Sequence, residues 1–141
     1  MTRGRIEEIL ARRLEAWGRR DAEALAADHA ENGVLRSPVG GDVKGRSAIL
    51  NIYRGWFSSF PDVEFLPEHV VISRDQAAQF AKIVGVQRGE FCGFAPTGKR
   101  FEIYCALLFD FADDKITREI RVYDFAGLLL QLGVLQAKPA F

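Results

Sequence analysis

Hydrophobic residues in the first part of the chain recur at three- and four-residue steps. Ile6, Ile9, Leu10, Leu14 and Trp17 share one side of residues 5–18, with Arg and Glu opposite, which predicts an amphipathic helix ended by Gly18. Asp21 then stands where an N-cap belongs, before a second short helix, AEALAADHA. The stretch ENGVLRSPVGGDVKG reads as loop, with room for a short strand at Val34–Ser37. A third helix follows Gly45, with Ile49, Ile52, Tyr53, Trp56 and Phe57 on one face and Phe60-Pro61 closing it.

Beyond Pro61 the period falls to two. VEFLPEHVVIS, QAAQFAKIVGVQRGEF and RFEIYCALLFDF read as strands joined by the turn signals SRDQ and GFAPTGK. Phe101, Ile103, Cys105, Leu107, Phe109 and Phe111 form one wholly apolar face; Glu102, Tyr104, Ala106, Leu108 and Asp110 make a mixed one. ADDK turns the chain into a fourth long strand, ITREIRVYD. FAGLLLQLG closes as a helix between Asp124 and Gly133. The order implies an α+β domain spanning 1–141, with three N-terminal helices across one face of a curved antiparallel sheet. A cone of this kind encloses a pocket if the helices do not fill it.

Composition narrows the function classes. Lys+Arg and Asp+Glu each count 19, so nothing electrostatic suggests nucleic acid or an anionic membrane as partner. No run approaches the roughly 20 apolar residues of a membrane span, and MTRGRIEEILARR lacks the apolar segment of a signal peptide, so a cytoplasmic location is expected. Cys92 and Cys105 are too few for a disulfide framework and have no metal-ligand spacing; neither a metal nor another cofactor is expected. The 11 Phe suit an apolar pocket or simply core filling.

GFAPTGKR, residues 93–100, imitates a phosphate-binding loop except that Arg100 replaces the final Ser or Thr. Such a loop must lead into a helix, whose free N–H groups hold the phosphates. The residues after Lys99 alternate instead, so a hairpin turn shaped by Pro96 and Gly98 is expected.

GEFCGFAPTGKRFE, the apolar strand after it and DDKITRE…YD..GLLLQLG resemble the SnoaL-like branch of the nuclear transport factor 2-like superfamily. WGRRDAEAL, GRSAI and FPDVEF fit as well, so the resemblance covers nearly the whole chain. The superfamily includes ketosteroid isomerases, polyketide cyclases and limonene epoxide hydrolases. The resemblance implies an apolar pocket, a small hydrophobic ligand and a homodimer packed through the sheet. It also implies an acid/base Asp on the last strand and a His one strand earlier; Arg121 and Leu107 stand at those positions here. Matched to the epoxide hydrolases, the catalytic set becomes Arg88, Glu90 and Arg121, without the second carboxylate.

Each candidate has two readings. Arg121 stabilises an oxyanion or pairs with Glu119 or Glu90. Asp124 is an acid or a helix cap, Glu90 a base or a solvated loop carboxylate. His29 is a pocket base or a helix-end histidine, and His69 fits a surface position. Trp17, Tyr53, Trp56 and Phe57 are core or pocket wall, with Arg88 and Leu107 as further lining. The two leading expectations are a cofactor-free isomerase, cyclase or hydrolase for a small hydrophobic carbonyl compound, and a dimeric module that binds an apolar or acidic ligand without turnover. A purely structural dimerisation domain is a third. The C-terminal KPAF could cover the pocket or cross to a partner.

Overall fold

The computed structural model describes residues 1–136, so the KPAF tail lies outside the described residues. Four helices and six strands follow in the order α1 (Arg3–Arg19), α2 (Ala22–Ala27), β1 (His29–Ser37), β2 (Gly41–Lys44), α3 (Arg46–Ser59), β3 (Glu64–Ser73), β4 (Gln76–Val86), β5 (Arg100–Ala112), β6 (Lys115–Tyr123) and α4 (Phe125–Leu132). The strands form one open, curved sheet in the order β2-β1-β6-β5-β4-β3.

The meander from β3 to β6 is antiparallel throughout, as the alternation predicts. The sheet as a whole is mixed, because β1 lies parallel to β6 and carries β2 as an edge hairpin. That hairpin also separates α2 from α3, where the sequence suggested mostly loop. Its polar, glycine-rich ends hide the pattern: of β1, only His29, Gly33 and Leu35 are buried.

Local chemistry fixes most element ends. Asp21 caps α2 by accepting from the Ala24 N–H, and Asp124 caps α4 by accepting from the Gly127 N–H at 2.8 Å. Asp113 and Asp114 both take positive φ in the β5–β6 turn, a conformation these short polar residues tolerate. Helix α1 does not stop at Gly18. It runs one residue further, to Arg19, and its C-cap Arg20 adopts the left-handed conformation and gives its N–H to the Ala16 and Trp17 carbonyls. Helix α2 ends earlier than expected, at Ala27, and His29 opens a strand.

The helices cover the inward face of the sheet. Phe101, Ile103, Cys105, Leu107, Phe109 and Phe111 are all buried there, against Ile6, Ile9, Trp17 and Tyr53 from the helices. Leu14 is 39% exposed, whereas Arg13 is 3% exposed, so the inward stripe of α1 carries a cation where an aliphatic residue was expected.

The loop 87–99 is a turn between strands. Gln87 is fully buried; its amide nitrogen donates to the carbonyls of Gly89, Phe94 and Ala95, and its amide oxygen accepts from Thr97. The loop thus folds around a side chain of its own, and β5 follows Lys99 directly.

Candidate functional site

Pleat and register bring a group of ionisable residues together at the centre of the sheet. On β6, Glu119, Arg121 and Tyr123 alternate inward, opposite Phe109, Leu107 and Cys105 of β5. Arg13 reaches them from α1, Tyr53 from α3 and His29 from the start of β1.

Glu119 is fully buried and bonded on both oxygens. Its Oε1 accepts from Tyr53 Oη at 2.7 Å and from Arg13 Nη2 at 3.4 Å, with His29 Nε2 at 2.9 Å; its Oε2 accepts from Arg121 Nε at 2.5 Å. Burial by itself would raise the Glu119 carboxyl, but the Arg121 charge, the hydrogen bond and charge of His29 and the Arg13 charge outweigh it. The carboxyl is held well below the ordinary range. Glu119 is therefore a permanent anion and a poor proton acceptor.

Arg121 lies with its guanidinium carbon 4.6 Å from the centre of the Tyr53 ring, a cation–π contact. Burial opposes its charge, but Glu119 more than restores it, and its pKa is raised. One of its terminal nitrogens, Nη2, is the sole buried side-chain polar atom without a hydrogen-bond partner among the described residues.

Two hollows meet beside this cluster. The outer one has a volume of about 300 Å³ and opens between α3, the β1–β2 turn and residues 90–92. The inner one, about 10 Å³, is bounded by Trp17, Phe65, Leu107, Cys105 and Arg121 among others. Trp56 and Tyr123 line both. Their rings meet edge to face with centroids 5.8 Å apart. Burial pushes the Tyr123 hydroxyl up to about 12 and the Cys105 thiol up to about 11, so both keep their protons at neutral pH.

The candidates from the sequence separate on this map. Arg121, Trp17, Trp56 and Leu107 line the inner hollow. Tyr53 sits behind it, within the ionic cluster. Phe57 packs edge-on against Trp17, with centroids 5.4 Å apart, and is not among the residues lining either hollow. His29 directly follows Asp28, the C-cap of α2, and opens β1; its ring lies between the Leu25 carbonyl and Glu119, fully buried. Glu90 is exposed and stands on the rim of the outer cavity. Arg88 is exposed, with its Nε 3.9 Å from Asp62. Asp124 is exposed and engaged as the α4 cap. His69 is exposed on β3. Cys92 is exposed, on the outer rim.

Arg13 was not singled out in the sequence, although its place on an apolar helical stripe is itself a signal. Among the described residues, no group of three or more His, Cys, Asp or Glu is placed to hold a metal ion. No helix among them is long and apolar enough to cross a membrane.

The arrangement thus offers a fixed cation and protonated donors beside an apolar cavity, with one carboxylate at its mouth. It can hold and polarise an oxygen atom.

Solved structures share this architecture. A candidate SnoaL-like polyketide cyclase from Jannaschia Sp. CCS1 superposes with a TM-score of 0.86 at 20% identity, covering 94% of this chain and 94% of that one. AclR from Streptomyces galilaeus, a candidate hydroxylase, gives a TM-score of 0.81 at 23% identity over 95% and 88%. IdmH from Streptomyces antibioticus, a candidate polyketide cyclase, gives 0.75 at 25% identity over 90% and 97%. A search of curated proteins finds no match. The profile of the SnoaL-like polyketide cyclase family matches residues 7–132, nearly the whole described chain, and the protein belongs to that family.

Proposed function

We propose that the protein is a cofactor-free enzyme of the cyclase or isomerase type, acting by acid/base chemistry on a small hydrophobic carbonyl compound. The observation that carries this reading is Arg121, a buried cation that lines an apolar hollow and whose Nη2 is a donor without a partner. A buried donor left unsatisfied costs about 1–3 kcal/mol, and a ligand oxygen would supply the missing acceptor.

The substrate's apolar body would occupy the outer cavity, with its carbonyl oxygen at Arg121. When the α-carbon loses its proton, the C–H electron pair becomes the enolate C=C bond and negative charge gathers on that oxygen. A permanent cation in a low-dielectric site stabilises that charge without reorganising. Glu90, which lines the outer cavity, would take the proton. The enolate then regains a proton elsewhere, giving isomerisation, or attacks a second carbonyl, giving ring closure. Glu119, held by His29, Tyr53 and Arg13, positions the Arg121 guanidinium and is not itself the base.

Proton–deuterium exchange at the α-carbon of candidate ketones tests this directly. Arg121→Ala should lower the exchange rate by about 10²–10³-fold, and Glu90→Gln should lower it as well. Exchange unaffected by Arg121→Ala would remove the reading.

A second reading has its own support: the inner carboxylate is saturated and the outer one is exposed. A binding module would retain Arg121-dependent ligand affinity and show no exchange.

The outward face of the sheet fits a second copy of the chain. Phe80 and Val122 flank Ala106 in one row, and Tyr104 lies beside them; Phe80 is 43%, Tyr104 65% and Val122 62% exposed. An apolar face of this kind, on a chain without net charge, favours self-association.

A further inference from the structure

Trp56 and Tyr123 divide the site into two chambers of very different size, about 300 Å³ outside and about 10 Å³ inside. The inner volume is close to the minimum of roughly 10–15 Å³ that one water molecule needs. Arg121 is among the residues lining the inner space, and its Nη2 has no hydrogen-bond partner.

A water molecule suits the inner space poorly. Buried waters hold about three hydrogen bonds, whereas the surface facing this space is apolar. A carbonyl or carboxylate oxygen needs fewer partners, because its remaining valence is the bond to its own carbon skeleton. That skeleton can rest in the larger chamber.

We propose that Trp56 and Tyr123 are the specificity-determining residues of this site, passing to Arg121 only an oxygen that projects from an unhindered edge of its ligand. The chemical class is a compact apolar acid or ketone with its oxygen at a slim terminus; an oxygen flanked by bulky substituents is rejected at the two rings. The inference rests on Arg121 as the oxygen anchor and adds a steric rule to it.

Two benzoate derivatives separate the steric rule from the anchor. Para-toluate carries one methyl group far from its carboxylate; mesitoate has the same body with a methyl group on each side of the carboxylate. Mesitoate is the more apolar, so an open cavity would favour it. Calorimetric titration of the wild-type protein should show para-toluate binding at least ~10-fold more tightly. Tyr123→Ala should bring the two ligands within about twofold of each other, because it opens the partition. Trp56→Leu provides a second opening should Tyr123→Ala fail to fold by circular dichroism. Arg121→Gln and Arg121→Lys should weaken both ligands.

Equal wild-type affinities that still depend on Arg121 would overturn the partition and leave the anchor intact. A preference that survives both opened variants would overturn it in the same way. Binding indifferent to Arg121, or no binding of either acid, would overturn the anchor and the partition together.

Discussion

Arg121 Nε donates to Glu119 Oε2 at 2.5 Å, a bond between side chains two residues apart on the inward face of one strand. It joins the candidate oxygen anchor to a carboxylate that three other side chains also hold. Replacing Glu119 by Gln keeps the shape but removes the anion, leaving Arg13 and Arg121 buried without their shared partner. Breaking a buried pair in this way costs about 3–5 kcal/mol. Chemical denaturation of Glu119→Gln should show a loss of that size, far above the effect of an exposed pair such as Arg36–Asp42.

The same carboxylate gives stability a definite dependence on acid. Its folded pKa lies well below the 4.5 of the free group, so as pH falls the unfolded chain takes up the proton first. Its stabilising contribution is complete above about pH 4.5 and is lost progressively as pH falls below that value towards the folded pKa. Unfolding free energies measured between pH 7 and 3 should decline more steeply in the wild type than in Glu119→Gln.

Gly89 holds the rim of the outer cavity against α3. The N–H groups of Arg88 and Gly89 both donate to the Ser59 carbonyl, and Ser59 Oγ donates back to the Glu90 carbonyl. A Cβ at Gly89 would fall 2.3 Å from the Ser58 carbonyl oxygen, so Gly89→Ala must push the strap away. The expected cost is about 1–3 kcal/mol, read by thermal or chemical unfolding. Because Glu90 follows directly, any exchange activity should fall as well.

Asp124 offers a clean separation of capping from catalysis. Asp124→Asn keeps a good cap and removes the acid; Asp124→Ala removes both. Stability should change little in the first variant and fall by about 1 kcal/mol in the second. Deuterium exchange should be unchanged in Asp124→Asn; a collapse there would restore Asp124 as an acid.

For the outward face, Val122→Glu places a charge at one end of the exposed apolar row. Sedimentation velocity should show a dimer for the wild type and a monomer for the variant, with the far-ultraviolet spectrum preserved. A wild-type monomer at micromolar concentration would remove the proposed pairing.

The regular elements were legible because burial leaves a local period. Phe101 to Phe111 repeat every two residues on one face, and Ile49, Tyr53 and Trp56 repeat at helical steps. Where burial is sparse the pattern fails: β1 and β2 have few inward side chains, and the parallel pairing of β1 with β6 depends on contacts distant in sequence. Helix α1 shows the same limit at one position. Arg13 occupies the inward stripe between Ile9 and Trp17, yet a cation there looks like a break in the pattern until its partners Tyr53 and Glu119 are in place.

The site divides along the same line. Arg121 stood out in the sequence because it stands where the family resemblance implies an acid/base Asp, and strand alternation puts it on the same face as Glu119. Nothing local linked that face to His29, 90 residues from Glu119, or to Arg13, at a separation of 106. Strand period, caps and turns follow from side-chain shape and backbone hydrogen bonding, which act between near neighbours, and the sequence by itself determined them. The convergence of four donors on one carboxylate, the nitrogen they leave unpartnered and the two chambers beside it required helices and sheet to close on one another. Charges are tolerated in that interior only as a mutually neutralising set, and only the tertiary structure decided which residues compose it.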